Sequence, residues 1–158
     1  ANHYGPAKEY RALRMAGYII TRGTPIADTL GALFCTSDLL TQKLINLIMI
    51  LKTDRLFFEF IYEVYREKVI LGADMMEEAD VNIFFTRKEA QEELIADWKD
   101  STKRHLRSCY LNFMTDANLL TVTGKVRKIT PPILDIALER YLQSTGDEIM
   151  IKALMGEN

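Results

Sequence analysis

The chain has 158 residues, 48% hydrophobic and 27% charged, with eight Gly and four Pro. That length suits one compact domain or two small subdomains sharing a core, and the composition excludes a wholly disordered chain. A net charge of −2 gives the molecule as a whole no basic balance that would point to nucleic acid.

Cys35 and Cys109 have neither metal-ligand spacing nor the density of a disulfide framework, so a reduced, cytoplasmic setting is expected. Residues 1–6 carry no apolar run of the signal-peptide kind. The longest apolar stretch, residues 44–51, is interrupted by Asn46. A membrane span needs about 20 apolar residues, so a core helix is expected there and no membrane partner.

Periodicity predicts a first helix over residues 6–22, with Pro6 at its first position and Gly23 as its stop. Thr24 and Pro25 then open a short second helix. Thr36 or Ser37 caps a third, whose Leu40, Leu44, Leu47, Ile48 and Leu51 make it apolar nearly all round and therefore central. Asp54 caps a fourth, running to Leu71. Its Leu56, Phe57, Phe60, Ile61, Val64 and Tyr65 form one face, and Gly72 ends it. Residues 80–85 read as a short helix burying Val81, Phe84 and Phe85. Glu77, Glu78 and Asp80 at its start complement the helix dipole. Thr86 with Glu89 has the spacing of a capping box for the next helix, to Trp98.

Trp98 packs at the junction of the two halves. Asp100 or Ser101 starts a helix to Ala117, with Leu106, Tyr110, Phe113 and Ala117 on one stripe. Phe60 and Phe113 are therefore expected in the core on facing helices. Asn118 can take the left-handed stop conformation. Residues 120–123 and 125–129 flank Gly124 and predict a β-hairpin, the only strand signal. Pro131 and Pro132 end the hairpin and open a helix to Leu142. Gly146 breaks the chain before a last short helix over residues 148–155.

The fold expected is all-α: a compact multi-helix bundle with one short β-hairpin in a winged-helix-like C-terminal part. Residues 1–97 would form an N-terminal helical subdomain and residues 98–158 a helix–hairpin–helix subdomain, or the two run on as one domain.

Charge is unevenly spread. Residues 1–53 carry a net of +3, residues 54–97 a net of −7, residues 98–128 a net of +5, and the remainder −3. The positive block combines Lys99, Lys103, Arg104 and Arg107 on the predicted helix with Lys125, Arg127 and Lys128 on the hairpin. A helix followed by a basic hairpin is the element order of a winged-helix reader. There cations gain affinity for nucleic-acid phosphates by counterion release. Solvated helix faces and hairpin tips also carry Lys and Arg, so the charge pattern alone leaves both readings open.

Catalytic chemistry is not legible. His3 and His105 are the only histidines and have no Cys or His at ligand spacing. Thr123-Gly124-Lys125 lacks the upstream glycine of a phosphate loop, and no Gly-x-Ser-x-Gly elbow occurs. Cys109 falls beside the apolar stripe and reads as a core residue. No cofactor, metal or small-molecule substrate is expected.

The order Trp98-Lys99-Asp100-Ser101-Thr102-Lys103, Leu106, Asn118-Leu119-Leu120, Lys128-Ile129-Thr130-Pro131-Pro132-Ile133-Leu134 and Tyr141-Leu142 resembles the BrxA family of BREX bacteriophage-defence systems. Leu56-Phe57-Phe58-Glu59-Phe60, Val64-Tyr65-Arg66-Glu67 and Asp80 with Phe84-Phe85 look like that family's middle helices. The resemblance covers residues 54–142. It implies an all-helical fold likened to the RNA-binding protein NusB, a role in phage defence, and partners among other BREX proteins. It supplies no catalytic residue. The leading expectation is a non-enzymatic accessory that binds nucleic acid, duplex DNA ahead of RNA. The alternative is a protein–protein adaptor whose interface is the acidic middle or the aromatic-rich helices.

Overall fold

The computed structural model describes residues 25–158, so the helix expected over residues 6–22 lies outside the described residues. In chain order the elements are α1 (Pro25–Thr36), α2 (Leu39–Thr53), α3 (Arg55–Phe60), a π-helical turn (Ile61–Tyr65), α4 (Arg66–Ile70), α5 (Glu78–Gln91), α6 (Glu93–Ala96) and α7 (Asp100–Asp116). Then follow β1 (Leu120–Thr123), β2 (Val126–Ile129), α8 (Ile136–Ser144) and α9 (Glu148–Met155). The described residues are thus mostly helical, with one two-stranded antiparallel sheet.

Carboxylates start three of the helices. Asp38 accepts from the Thr41 N–H at 2.8 Å, Asp54 from Phe57 at 3.0 Å, and Asp135 from Ala137 and Leu138 at 2.9 and 3.3 Å. The cap of α2 is therefore Asp38, not Thr36 or Ser37. Both of those hydroxyls turn back onto carbonyls of α1. Similarly, α8 begins at Ile136 and not at the prolines, because Asp135 is extended and its carboxylate caps the N–H groups of Ala137 and Leu138.

The largest departure from expectation is α5, which runs unbroken through Thr86. The Thr86 hydroxyl donates to the Asn82 carbonyl at 2.9 Å, and Glu89 is held by Lys103 instead of reaching back as a cap. The capping box that forms is at the start of α5, where the Asp80 carboxylate accepts from the Glu77 N–H at 2.8 Å. The helix breaks only at Glu92, which is extended.

One hydrophobic cluster takes residues from α1 to α9, on both sides of Asp97. At its centre Phe57 stacks on Tyr110 with centroids 4.6 Å apart, Phe60 meets Phe84 edge-on at 5.1 Å, and Phe84 meets Phe85 edge-on at 5.6 Å. The π-helical turn sits in the middle of this packing, against α5 and α9. Its wider winding keeps Ile61, Val64 and Tyr65 all buried, and the Tyr65 hydroxyl donates to the Leu119 carbonyl at 3.4 Å. Gly156 closes α9 against α4 with φ +68°, where a Cβ would collide with the Val69 side chain.

Three expected core positions, Leu40, Leu106 and Phe113, are not fully buried. Leu40 is 61% exposed at the start of α2, while Ile45 is fully buried. On α7 the buried face is Tyr110, Leu111, Met114 and Ala117, with Lys103; Leu106 and Phe113 are half-buried. Stacking of Tyr110 against Phe57 and Phe85 sets this rotation. Phe60, by contrast, is fully buried as expected.

The hairpin pairs Leu120 with Ile129 and Val122 with Arg127, and Gly124 turns it at φ +63°. Asn118 supplies the left-handed residue at φ +60° that releases it from α7. Residues 74–76 run along the outer edge of β2, through Met76 N–H to the Arg127 carbonyl (2.9 Å) and Ile129 N–H to the Asp74 carbonyl (2.8 Å). Among the described residues, no helix is long and apolar enough to cross a membrane.

The core makes stability sensitive to alkali. Burial pushes the Tyr65 and Tyr110 phenols well above their ordinary 10.0, and the Asp54 carboxylate adds to the effect at Tyr110. Burial pulls the Lys88 ammonium down from 10.5, but the carboxylates of Glu59 and Glu63, each 2.8 Å away, outweigh it and raise the value. All three groups favour the protonated folded state. Their contribution is complete below the unfolded values of 10.0 and 10.5, and is lost as pH rises through the raised folded ones. Calorimetry should find Tm level from about pH 8 to 9.5 and falling above about pH 10. Tyr110→Phe should make that fall shallower; an equally steep fall would assign it to other groups.

Candidate nucleic-acid interface

The cations singled out by sequence fall into two structural groups. Lys99, Lys103, Arg104 and Arg107 lie at or near the N-terminal half of α7. Lys99 is the exposed N-cap residue and makes no capping bond through its side chain. Cations at a helix N-terminus oppose the macrodipole, each by about 0.3–1 kcal/mol. Helix stability therefore does not explain Lys99 at this end of α7.

Their surroundings differ. Lys103 is only 7% exposed, and its ammonium pairs with Glu89 at 3.0 Å and approaches the Ala96 carbonyl at 3.5 Å. A buried ammonium needs such a partner, so in the free protein Lys103 is a tethered charge, unlike its exposed neighbour Arg104. Arg107 is half-buried, with its guanidinium 5.2 Å from the Phe85 ring centroid. Its Nε is shielded from water and has no hydrogen-bond partner. Arg104 is exposed and makes no ion pair among the described residues. Lys103, Arg104 and Arg107 together line an open depression of about 350 Å³, with Glu89 and Asp100 as its acidic members.

The hairpin carries the second group. Lys125 stands exposed at the turn, Lys128 is exposed on β2 opposite Thr121, and Arg127 is half-buried opposite Val122. Backbone bonds on both edges of β2 hold Arg127 and Lys128 in place. The hairpin leaves α7 at its C-terminal end. With a rise of 1.5 Å per residue, Arg107 and Asp116 are about 13 Å apart along the axis. No hydrogen bond or ion pair joins the two groups, and no hairpin residue lines the depression.

Some cations outside this block are tied to carboxylates, while others, such as Lys43, Arg87 and Arg140, form no ion pair among the described residues. Among the described residues, Lys52 is bound to Asp147, Arg55 to Glu59 and Glu92, Lys68 to Asp80, and Lys88 to Glu59 and Glu63. Within residues 98–128, Lys103 is the one cation with a carboxylate partner among the described residues. Lys99, Arg104, Arg107, Lys125, Arg127 and Lys128 form no ion pair among the described residues. Glu89 and Asp100 are the members of the depression that sequence reading missed, since Asp100 reads as a helix start. For Glu89 the reason is plain. Its spacing from Thr86 suggested a cap, and nothing local tied it to Lys103.

Other polar chemistry is sparse. Cys109 Sγ lies 3.5 Å from His105 Nε2, one helical turn away on α7. Among the described residues, no three His, Cys, Asp or Glu side chains gather as metal ligands would. The aromatic-rich helices direct Phe57, Phe60, Phe84 and Phe85 into the core, each fully buried, so those rings offer no face to a partner.

Comparison with known proteins agrees with the order of motifs along the chain. The BrxA family matches residues 1–146. The chain is also 36% identical over 149 residues to a Bacillus cereus protein named BREX protein BrxA, covering 94% of this chain and 74% of that relative. An order of motifs read from residues 54–142, a helical fold with one hairpin, and a match over nearly the whole chain agree: this protein belongs to the BrxA family.

Proposed function

We propose that the chain is a non-enzymatic, cytoplasmic accessory of a bacterial BREX phage-defence system that binds nucleic acid, duplex DNA ahead of RNA, and works alongside other BREX proteins. The observation that carries this reading is the set of six cations between Lys99 and Lys128 without an ion-pair partner among the described residues, in a chain of net charge −2. Unpaired Lys and Arg on a helix and a hairpin suit phosphate oxygens, and contact to phosphates positions a protein without reading sequence. Family membership supports the defence role and the BREX partners.

Fluorescence anisotropy with a labelled duplex, repeated across a salt series, tests the proposal. Log affinity should fall linearly with log salt, with a slope of about −0.9 for each phosphate contact, and unrelated duplexes should bind within a few-fold of one another. Absence of binding at low salt would leave a protein–protein adaptor as the better reading.

A further inference from the structure

We propose that Glu89 is an internal counter-anion of the α7 depression, occupying the place of a nucleic-acid phosphate in the free protein and giving way to it on binding. The inference rests on the nucleic-acid reading above and names a residue that limits affinity at that site.

Three observations converge. The Glu89 carboxylate lies 3.0 Å from the Lys103 ammonium, and the Glu89 side chain is 32% exposed where that of Lys103 is 9% exposed. The cation is fixed in the wall, while the anion sits at the rim with room to turn outwards. Secondly, the cationic side of the depression is under-used. Among the described residues Arg104 makes no ion pair, and the Arg107 Nε–H has no acceptor although water is excluded from it. Thirdly, the one acceptor left to Lys103 if Glu89 departs is the neutral Ala96 carbonyl at 3.5 Å. The ammonium would need a new anion.

A phosphate diester matches that demand. Its charge and non-bridging oxygens can be shared among Lys103, Arg104 and Arg107, whereas Glu89 is paired with Lys103 alone. Glu89 and Asp100 repel an incoming phosphate while they line the site. Exchange of Glu89 for phosphate thus weakens binding without any contact to a base.

Glu89→Gln isolates the effect. It removes the charge and keeps an amide oxygen for Lys103. Titrated with the same labelled duplex, E89Q should bind about three- to ten-fold more tightly at 0.1 M salt, with a salt slope steeper by up to about 0.9 as Lys103 gains a phosphate. Glu63→Gln is the control. It also removes one negative charge, leaves Lys88 its pair with Glu59, and lines a separate groove. Its effect should stay below about two-fold.

In a Lys103→Met background the gain from E89Q should shrink by at least half. Lys103→Met removes the buried charge and leaves Glu89, whose side chain is 32% exposed, in contact with water, and an unchanged Tm for this background checks that it folds. Equal or weaker binding by E89Q, or an equal gain from E63Q, would overturn the proposal while leaving the wild-type binding intact. No binding by any of these proteins would instead remove the nucleic-acid reading itself.

Discussion

Phe60→Ala is expected to lower stability by about 3–5 kcal/mol, the usual cost of truncating a buried phenylalanine. Phe60 is fully buried, packs edge-on to Phe84 at 5.1 Å, and lies 6.0 Å from Tyr110. Its removal opens a cavity beside the π-helical turn, where α5 and α9 also pack. A typical domain is stable by about 5–15 kcal/mol, so a large share would be lost. For a chain of this size Tm should fall by roughly 6–20 °C. Phe113→Ala should cost clearly less. Phe113 is half-buried and leans on Phe57 with centroids 5.6 Å apart. Urea unfolding of both variants gives the comparison. Equal losses would mean that the turn of α7 about its axis differs from the one described.

Reversing two charges, Arg104→Glu with Lys128→Glu, should weaken duplex binding strongly while leaving Tm nearly unchanged. One residue comes from each cationic group, both are exposed, and neither makes an ion pair among the described residues. Loss of two phosphate contacts should make the salt slope shallower by about 1.8, and each contact is worth about eight-fold in affinity at 0.1 M salt. New repulsion between glutamate and phosphate adds to that loss. Arg107 is the poorer target. Its guanidinium covers Phe85 and its Nε is buried, so Arg107→Glu would place a carboxylate against an aromatic ring and confound binding with folding. A double variant that binds like wild type would transfer the nucleic-acid reading to other residues or remove it.

Local rules made much of this protein legible from its sequence. Leu56, Phe57, Phe60, Ile61, Val64 and Tyr65 recur at helical spacing and are all buried. Asp54 caps, Gly72 and Asn118 take positive φ, and the hairpin turns at Gly124, because each of these outcomes depends on a few neighbouring residues. The π-helical turn left no such mark: the same apolar spacing fits an unbroken α-helix, and only packing against α5 and α9 distinguishes them.

The positive block was visible by counting charges, but its division was not. Lys103 and Arg104 are adjacent in sequence, yet one is a buried partner of Glu89 and the other is exposed and makes no ion pair among the described residues. Which of two neighbouring cations is neutralised depends on where a carboxylate fourteen residues away is carried by the break after α5 and the rotation of α7. Helix spacing, caps and turns follow from interactions within a few residues, so the sequence by itself determined most of the elements and the family, but not the unbroken α5 or the π-helical turn. The pairing of charges follows from distances between elements, which packing of the aromatic core sets, so only the tertiary structure decided which cations have a carboxylate partner among the described residues.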